Sequence, residues 1–274
     1  MSDEKKPEAL EEEEEKVEEQ EAEAPEEAPV EEEAAEEPAE EEVHYENAVN
    51  KGDFIKLEMT GITEETGDVF ETTSEELARE NGIFSEERAY GPRLVIVGEG
   101  FVLRGLDKRL PGTPFDEEAE IQVPPEEAFG ERNPSNVQMI PYRVLRSKGV
   151  TPTPGAEMEI DGRSAIIRSV GAGRVQVDYN HPLAGRSITY KVNVAEHITD
   201  DKKKMQALIG RRFLGIDPGE FEVKKTKKKL RIGVPDKIFF GENIQIAKRG
   251  VALDILRYFP DLEEVEYYET IKRA

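Results

Sequence analysis

The chain has 274 residues, no cysteine, 61 acidic and 37 basic residues, and a formal net charge of −24. Disulfide scaffolds, thiol catalysis and cysteine-ligated metal sites are thereby excluded, and the length allows more than one domain. The acidity is local, because residues 1–42 hold 22 Asp/Glu and three Lys/Arg, leaving 39 and 34 for the remainder.

That first segment is built from Glu, Ala and Pro. It has too few large apolar side chains to offset the entropy of ordering it, so residues 1–44 are expected to be a disordered acidic tail. Pro25, Pro29 and Pro38 limit helix formation within it. Its start, MSDEKKPEALEEEEE, lacks the apolar core of a signal peptide, and no apolar run approaches the ~18 residues of a membrane span. A soluble, cytoplasmic protein with no membrane contact is expected.

Order should begin near Tyr45. Residues 54–59 alternate imperfectly as a strand, and Glu64-Glu65-Thr66-Gly67-Asp68 makes a turn into a second strand over 69–71. Thr73, with Glu76 three residues on, predicts a capping box for a short helix that stops at Asn81-Gly82. Residues 93–98 form a short apolar strand. In GFVLRGLDKRL, Val102, Leu103, Leu106 and Leu110 fall on one face of a helix over 101–110. A strand over 118–123 breaks at Pro124-Pro125, before a loop carrying Phe129-Gly130.

From residue 132 the pattern is that of a small separate unit. It has a helical turn opened by Pro141 and three strands, 156–160, 165–170 and 174–179. Turns at Asp161-Gly162 and Gly171-Ala172-Gly173 join them. Residues 187–197 alternate cleanly and belong with the earlier sheet. The remainder predicts a helix over 201–213, strands over 221–234 and 237–240, a helix over 243–258 and a strand over 265–271. This last segment, 200–274, carries 17 Lys/Arg against 13 Asp/Glu and the basic run KKTKKKLR.

Chemistry narrows by elimination. His44, His181 and His197 occupy unrelated positions, so no metal site has credible spacing and none is expected. There is no phosphate-binding loop, dinucleotide-binding glycine pattern or nucleophile elbow.

Four stretches, GDVFETT, VIVGEGFVLRGLDKRLPG, IQVPPEEAFGERNP and DYNHPLAGRSITYKVNV, occur in this order over roughly residues 48–198. Together they resemble the FKBP-type peptidyl-prolyl isomerases, above all the SlyD-like and longer archaeal members with a domain inserted in the flap. The resemblance implies an α+β fold. An FKBP-like antiparallel half-barrel around one short helix would span 45–131 and 180–199. A small mostly-β inserted domain would occupy 132–179, and an α+β C-terminal domain 200–274. It further implies a peptidyl-prolyl cis-trans isomerase that needs no cofactor.

Such chemistry requires no nucleophile. Resonance raises a rotational barrier of ~18–20 kcal/mol about the peptide bond, and an apolar pocket that strips water disfavours the polar planar amide relative to the twisted one. Carried over from the resemblance, the catalytic residues are Phe70, Glu71, Phe129 and Tyr190, with Met59, Val102, Leu103 and Leu106 binding substrate. Many relatives have Tyr at the positions of Met59 and Phe129, Asp at Glu71 and Trp at Leu106. Phe129 therefore lacks a hydroxyl donor, and Leu106 supplies an aliphatic floor.

By the same resemblance the insert is a chaperone module. Its candidate client-binding residues are Met139, Ile140, Leu145, Met158 and Ile160, more than so small a unit can readily bury, with two or three expected at the surface. Expected partners are unfolded or nascent proline-containing polypeptides and a second copy through 200–274. Ribosome or RNA contact through KKTKKKLR is a lesser expectation. The alternative reading is a holdase-type chaperone or ribosome-associated protein with little isomerase activity. Within DYNHPLAG, Asn180 and His181 are expected to tie together the loop that returns from insert to isomerase sheet, a structural role, with a supporting role for His181 at the pocket left open by its nearness to Tyr190.

Overall fold

The computed structural model describes residues 44–271. Apart from the exposed His44, the expected acidic tail lies outside the described residues. The chain forms β1 (Phe54–Thr63), β2 (Val69–Thr72), α1 (Glu75–Glu80), β3 (Arg93–Ile96), α2 (Arg104–Asp107) and β4 (Ala119–Val123). It then departs through β5 (Val137–Pro141), α3 (Tyr142–Ser147), β6 (Glu157–Ile160), β7 (Arg163–Gly171) and β8 (Arg174–Asp178), and returns as β9 (Ile188–Ile198). It ends with α4 (Asp201–Arg212), β10 (Glu222–Lys225), β11 (Lys229–Val234), α5 (Ile244–Tyr258) and β12 (Glu264–Glu269). The fold is α+β, with three sheets and three hydrophobic clusters among the described residues.

The first sheet is antiparallel and runs β2-β1-β9-β4, with β3 on the same side of β1 as β2. Period-two alternation puts Ile55, Leu57 and Met59 of β1 beside Tyr190, Val192 and Val194 of β9 in one core. Phe54 points the other way and joins Ile96 and Ile198 in the core shared with α4 and α5. The C-terminal segment is therefore packed onto the back of this sheet.

The helix expected over 101–110 is much shorter. Only Arg104–Asp107 is α-helical, and Leu103 has an extended backbone at the helix entry. The cause is Asp107, whose buried carboxylate accepts bonds from the amides of Gly98 (2.9 Å) and Gly100 (2.8 Å). That contact folds the preceding loop back over the helix and leaves Val102 and Leu103 outside it. Gly105 then lets α2 lie against β4, since a Cβ there would overlap Val123 Cγ1 and crowd Glu127. Gly105→Ala is expected to cost about 1–3 kcal/mol in urea unfolding, whereas Gly171→Ala, where nothing lies within 4 Å, should shift the midpoint little.

Two further expectations are corrected. The cap of α1 is Ser74, whose hydroxyl accepts the Leu77 amide, because Thr73 is engaged with the Met59 amide at 2.9 Å. Residues 237–240 form no strand. Pro235 has no N–H with which to extend β11, and Asp236–Ile238 coils into a 3-10 turn. Two strands instead arise from 221–234, split by a turn in which Thr226 N–H donates to Lys229 O at 2.8 Å. In this domain β11 and β12 are parallel, with α5 as their crossover.

The insert forms its own sheet, β5-β8-β7-β6. The strand β5, which Pro141 and Gln138 disguise in the sequence, sits at its edge, where proline is tolerated. Leu145 and Ile160 lie in the core of this unit at 0% and 1% exposure, so neither offers a client-binding surface. Ile140 and Met158 pack partly against that core, while Met139 stays 55% exposed.

The two crossings between insert and first sheet are tied around Asp178 and Asn180. Asp178, fully buried, accepts bonds from Arg132 (2.6 Å), Arg168 (2.9 Å) and both nitrogens of Asn180. Asn180 in turn holds both the amide and the carbonyl of Asn133.

Candidate functional site

The site grows from a glycine. Gly61 stands in β1 between β2 and β9, and a Cβ there would fall 2.6 Å from Phe70 Cζ and 2.9 Å from Tyr190 Cε1. The absent side chain is the space into which both rings pack. Phe70 and Tyr190 meet edge-to-face with centroids 5.9 Å apart, and Phe129 meets Phe70 the same way at 5.7 Å. Quadrupole-matched pairs of this kind hold ring planes as well as positions. Phe129, on the loop after β4, is backed by His181, which stacks parallel to it at 4.5 Å.

The remaining predicted site residues gather around this cluster. Tyr190, Leu106 and Met59 are buried and form its base, while Phe70, Val102, Leu103 and Phe129 are half-buried against it. Among the described residues no hydrogen bond is seen from the amide of Leu103, at the entry to α2. Glu71 points to the edge of the cluster, where it accepts a bond from Arg93 at 2.9 Å. Burial, and then the nearby Glu71 carboxylate, pushes the Tyr190 phenol above its ordinary range. Tyr190 is therefore a neutral hydroxyl across the physiological pH range.

Sequence reasoning missed two contributors, Gly61 and Arg93. Gly61 could have been found, since a glycine inside an alternating strand signals close approach of other groups. Arg93 carried no local signal, because its partner lies 22 residues away. His181 ties the loop as expected, with Nδ1 accepting the Leu183 amide at 3.2 Å, and its stack on Phe129 sets it beside the rings, the supporting position left open for it. His197 stacks on Phe115 at the end of β9, remote from these rings.

Elsewhere, the basic run is largely neutralised by its surroundings. Lys224, Lys225, Lys228 and Lys229 pair with carboxylates at Glu222, Asp201 and Asp261, Glu263, and Glu264 and Glu266. Among the described residues no cluster of three His, Asp or Glu could hold a metal, and no helix is long and apolar enough to cross a membrane.

Residues 45–145 match the family model described as FKBP-type peptidyl-prolyl cis-trans isomerase. Residues 138–183 match the FKBP26 IF domain, and 201–272 the FKBP26 C-terminal domain. A short-type peptidyl-prolyl cis-trans isomerase of Methanocaldococcus jannaschii is 33% identical over 150 residues, covering 55% of this chain and 94% of the relative. An FKBP-type 16 kDa isomerase of Escherichia coli is 30% identical over 129 residues, covering 45% and 80%. The SlyD isomerase of Aeromonas hydrophila is 28% identical over 144 residues, covering 52% and 61%. With these similarities and the four motifs in order, the chain belongs to the FKBP-type peptidyl-prolyl cis-trans isomerase family.

Proposed function

We propose that the chain accelerates protein folding by rotating X–Pro amides against the cluster of Phe70, Phe129 and Tyr190. The observation that carries this reading is the mutual edge-to-face packing of those rings on Gly61. Half-buried Phe70 and Phe129 would wall a proline ring, and the Leu103 amide would hold a substrate carbonyl. Removing water from the amide raises its polar planar state relative to the twisted one, so the site needs shape and dryness rather than a proton donor. Glu71, held by Arg93, would stand beside the rotating bond.

The insert adds a holding surface. Met139 on β5 and Val144 on α3 are exposed apolar residues of the insert, and they replace Leu145 and Ile160 as candidates for contact with unfolded segments. Ile246 and Leu253, two turns apart on α5 and exposed, would pack against a second copy. Cytoplasmic clients with exposed prolines complete this reading.

Intact protein should accelerate both relaxation of a proline tetrapeptide and the proline-limited refolding of a small client. Absence of both accelerations would overturn the isomerase reading. Replacing Met139 and Val144 by Ser should weaken suppression of client aggregation about threefold or more, leaving tetrapeptide turnover unchanged. Equal aggregation suppression by that variant would exclude this surface.

A further inference from the structure

A groove of about 690 Å³ lies between the segment 88–94 and the end of α4 with the loop that follows it. Glu71 lines this groove and also stands beside Tyr190, so the groove adjoins the isomerase site. The charged lining is Lys56, Arg88, Arg93, Arg211 and Glu71. Lys56, Arg93 and Arg211 are paired with Glu196, Glu71 and Asp254. Arg88 is exposed and makes no ion pair among the described residues.

The α4 side also carries apolar residues. Leu214 is 69% exposed there, on a loop turned by Gly215 at φ +78°, and Phe101 lies beneath the Arg211 guanidinium at 4.4 Å. A large exposed leucine and an arginine with no ion pair among the described residues line one groove beside the proposed isomerase site, which fits a chain bearing both apolar and acidic side chains.

We propose that this groove binds the stretch of the client that flanks the proline, and that it selects flanks combining an apolar with an acidic residue. The inference rests on the isomerase reading above. It makes the C-terminal domain part of substrate recognition, through residues that touch no reacting bond.

The test uses full-length protein and three synthetic substrates: a capped Leu-Pro tetrapeptide, the same peptide extended on both sides by eight residues of Leu and Glu, and its Leu and Lys counterpart. Each flank reaches about 26 Å when extended. Wild type is expected to show a lower KM for the Leu/Glu peptide than for the other two. Arg88→Glu combined with Leu214→Ser should raise that KM about fivefold to tenfold, with kcat unchanged and the tetrapeptide unaffected.

Equal KM values for the two extended peptides, or an equal effect of the double variant on all three substrates, would overturn the proposal. So would a change in sedimentation with no change in any KM, which would assign the groove to a second copy. Failure of wild type to act on the tetrapeptide would instead sink the isomerase reading itself, which keeps the two failures apart.

Discussion

Gly61→Val is expected to lower turnover of a proline tetrapeptide by about two orders of magnitude, more than its effect on stability would suggest. Gly61 does not have a positive φ, so valine suits its strand backbone and the effect is one of space alone. The new Cβ would overlap Phe70 Cζ and Tyr190 Cε1. Tyr190 is fixed in the middle of β9, paired with Gly61 on one side and Ile121 on the other. Half-buried Phe70 is the ring able to yield. Its displacement breaks the edge-to-face contacts with both Tyr190 and Phe129, and with them the wall against which proline would pack. Overpacking of this kind costs about 1–3 kcal/mol, which urea unfolding would report. Adding Phe70→Leu should recover most of that stability without restoring turnover. A folded Gly61→Val protein with wild-type turnover would show that the ring cluster does not form the working surface.

The sequence made the alternating strands legible because alternation reports a sheet with one buried face. Residues 187–197 predicted β9 to within a residue for that reason. It failed where a side chain was claimed by something distant. Thr73 looked like a cap but is occupied by the Met59 amide across the sheet. Val102 and Leu103 shared a helical period with Leu106, yet Asp107 draws the preceding loop back through the amides of Gly98 and Gly100. Composition likewise said that the insert held surplus apolar residues without saying which of them were turned inward. Leu145 and Ile160 close its core, and Met139 is left out on the edge strand β5. The members of the site were legible as motifs, each short and local. Their meeting on Gly61 was not, because Gly61, Phe70, Phe129 and Tyr190 come together only through the pairing of strands far apart in the chain.

Asp178→Asn is expected to loosen the junction between insert and isomerase sheet, with a loss of stability that depends on pH. Burial alone would raise the pKa of Asp178. Hydrogen bonds from the Asn180 amide and side chain, and then from Arg168 and Arg132, outweigh it and bring the value to about 2 from 3.8. A carboxylate whose folded pKa lies below its unfolded one adds stability at pH above about 4 that fades as pH falls towards 2; the contribution is about 2 kcal/mol. In the variant the Arg132 and Arg168 guanidiniums lose their shared counter-ion. Both are partly exposed and regain water, which holds the loss to about 2–3 kcal/mol at neutral pH. The gap in unfolding free energy between wild type and variant should therefore narrow between pH 4 and pH 2, and amide exchange at Asn133 and Asn180 should quicken. Tetrapeptide turnover should hold, because Asp178 belongs to the crossing and not to the ring cluster. If the insert holds clients as proposed, proline-limited refolding of a whole client should slow, because a client so held would have to be presented to the site in a defined direction. A stability gap that stays constant down to pH 2 would mean that charge at Asp178 does not hold the junction.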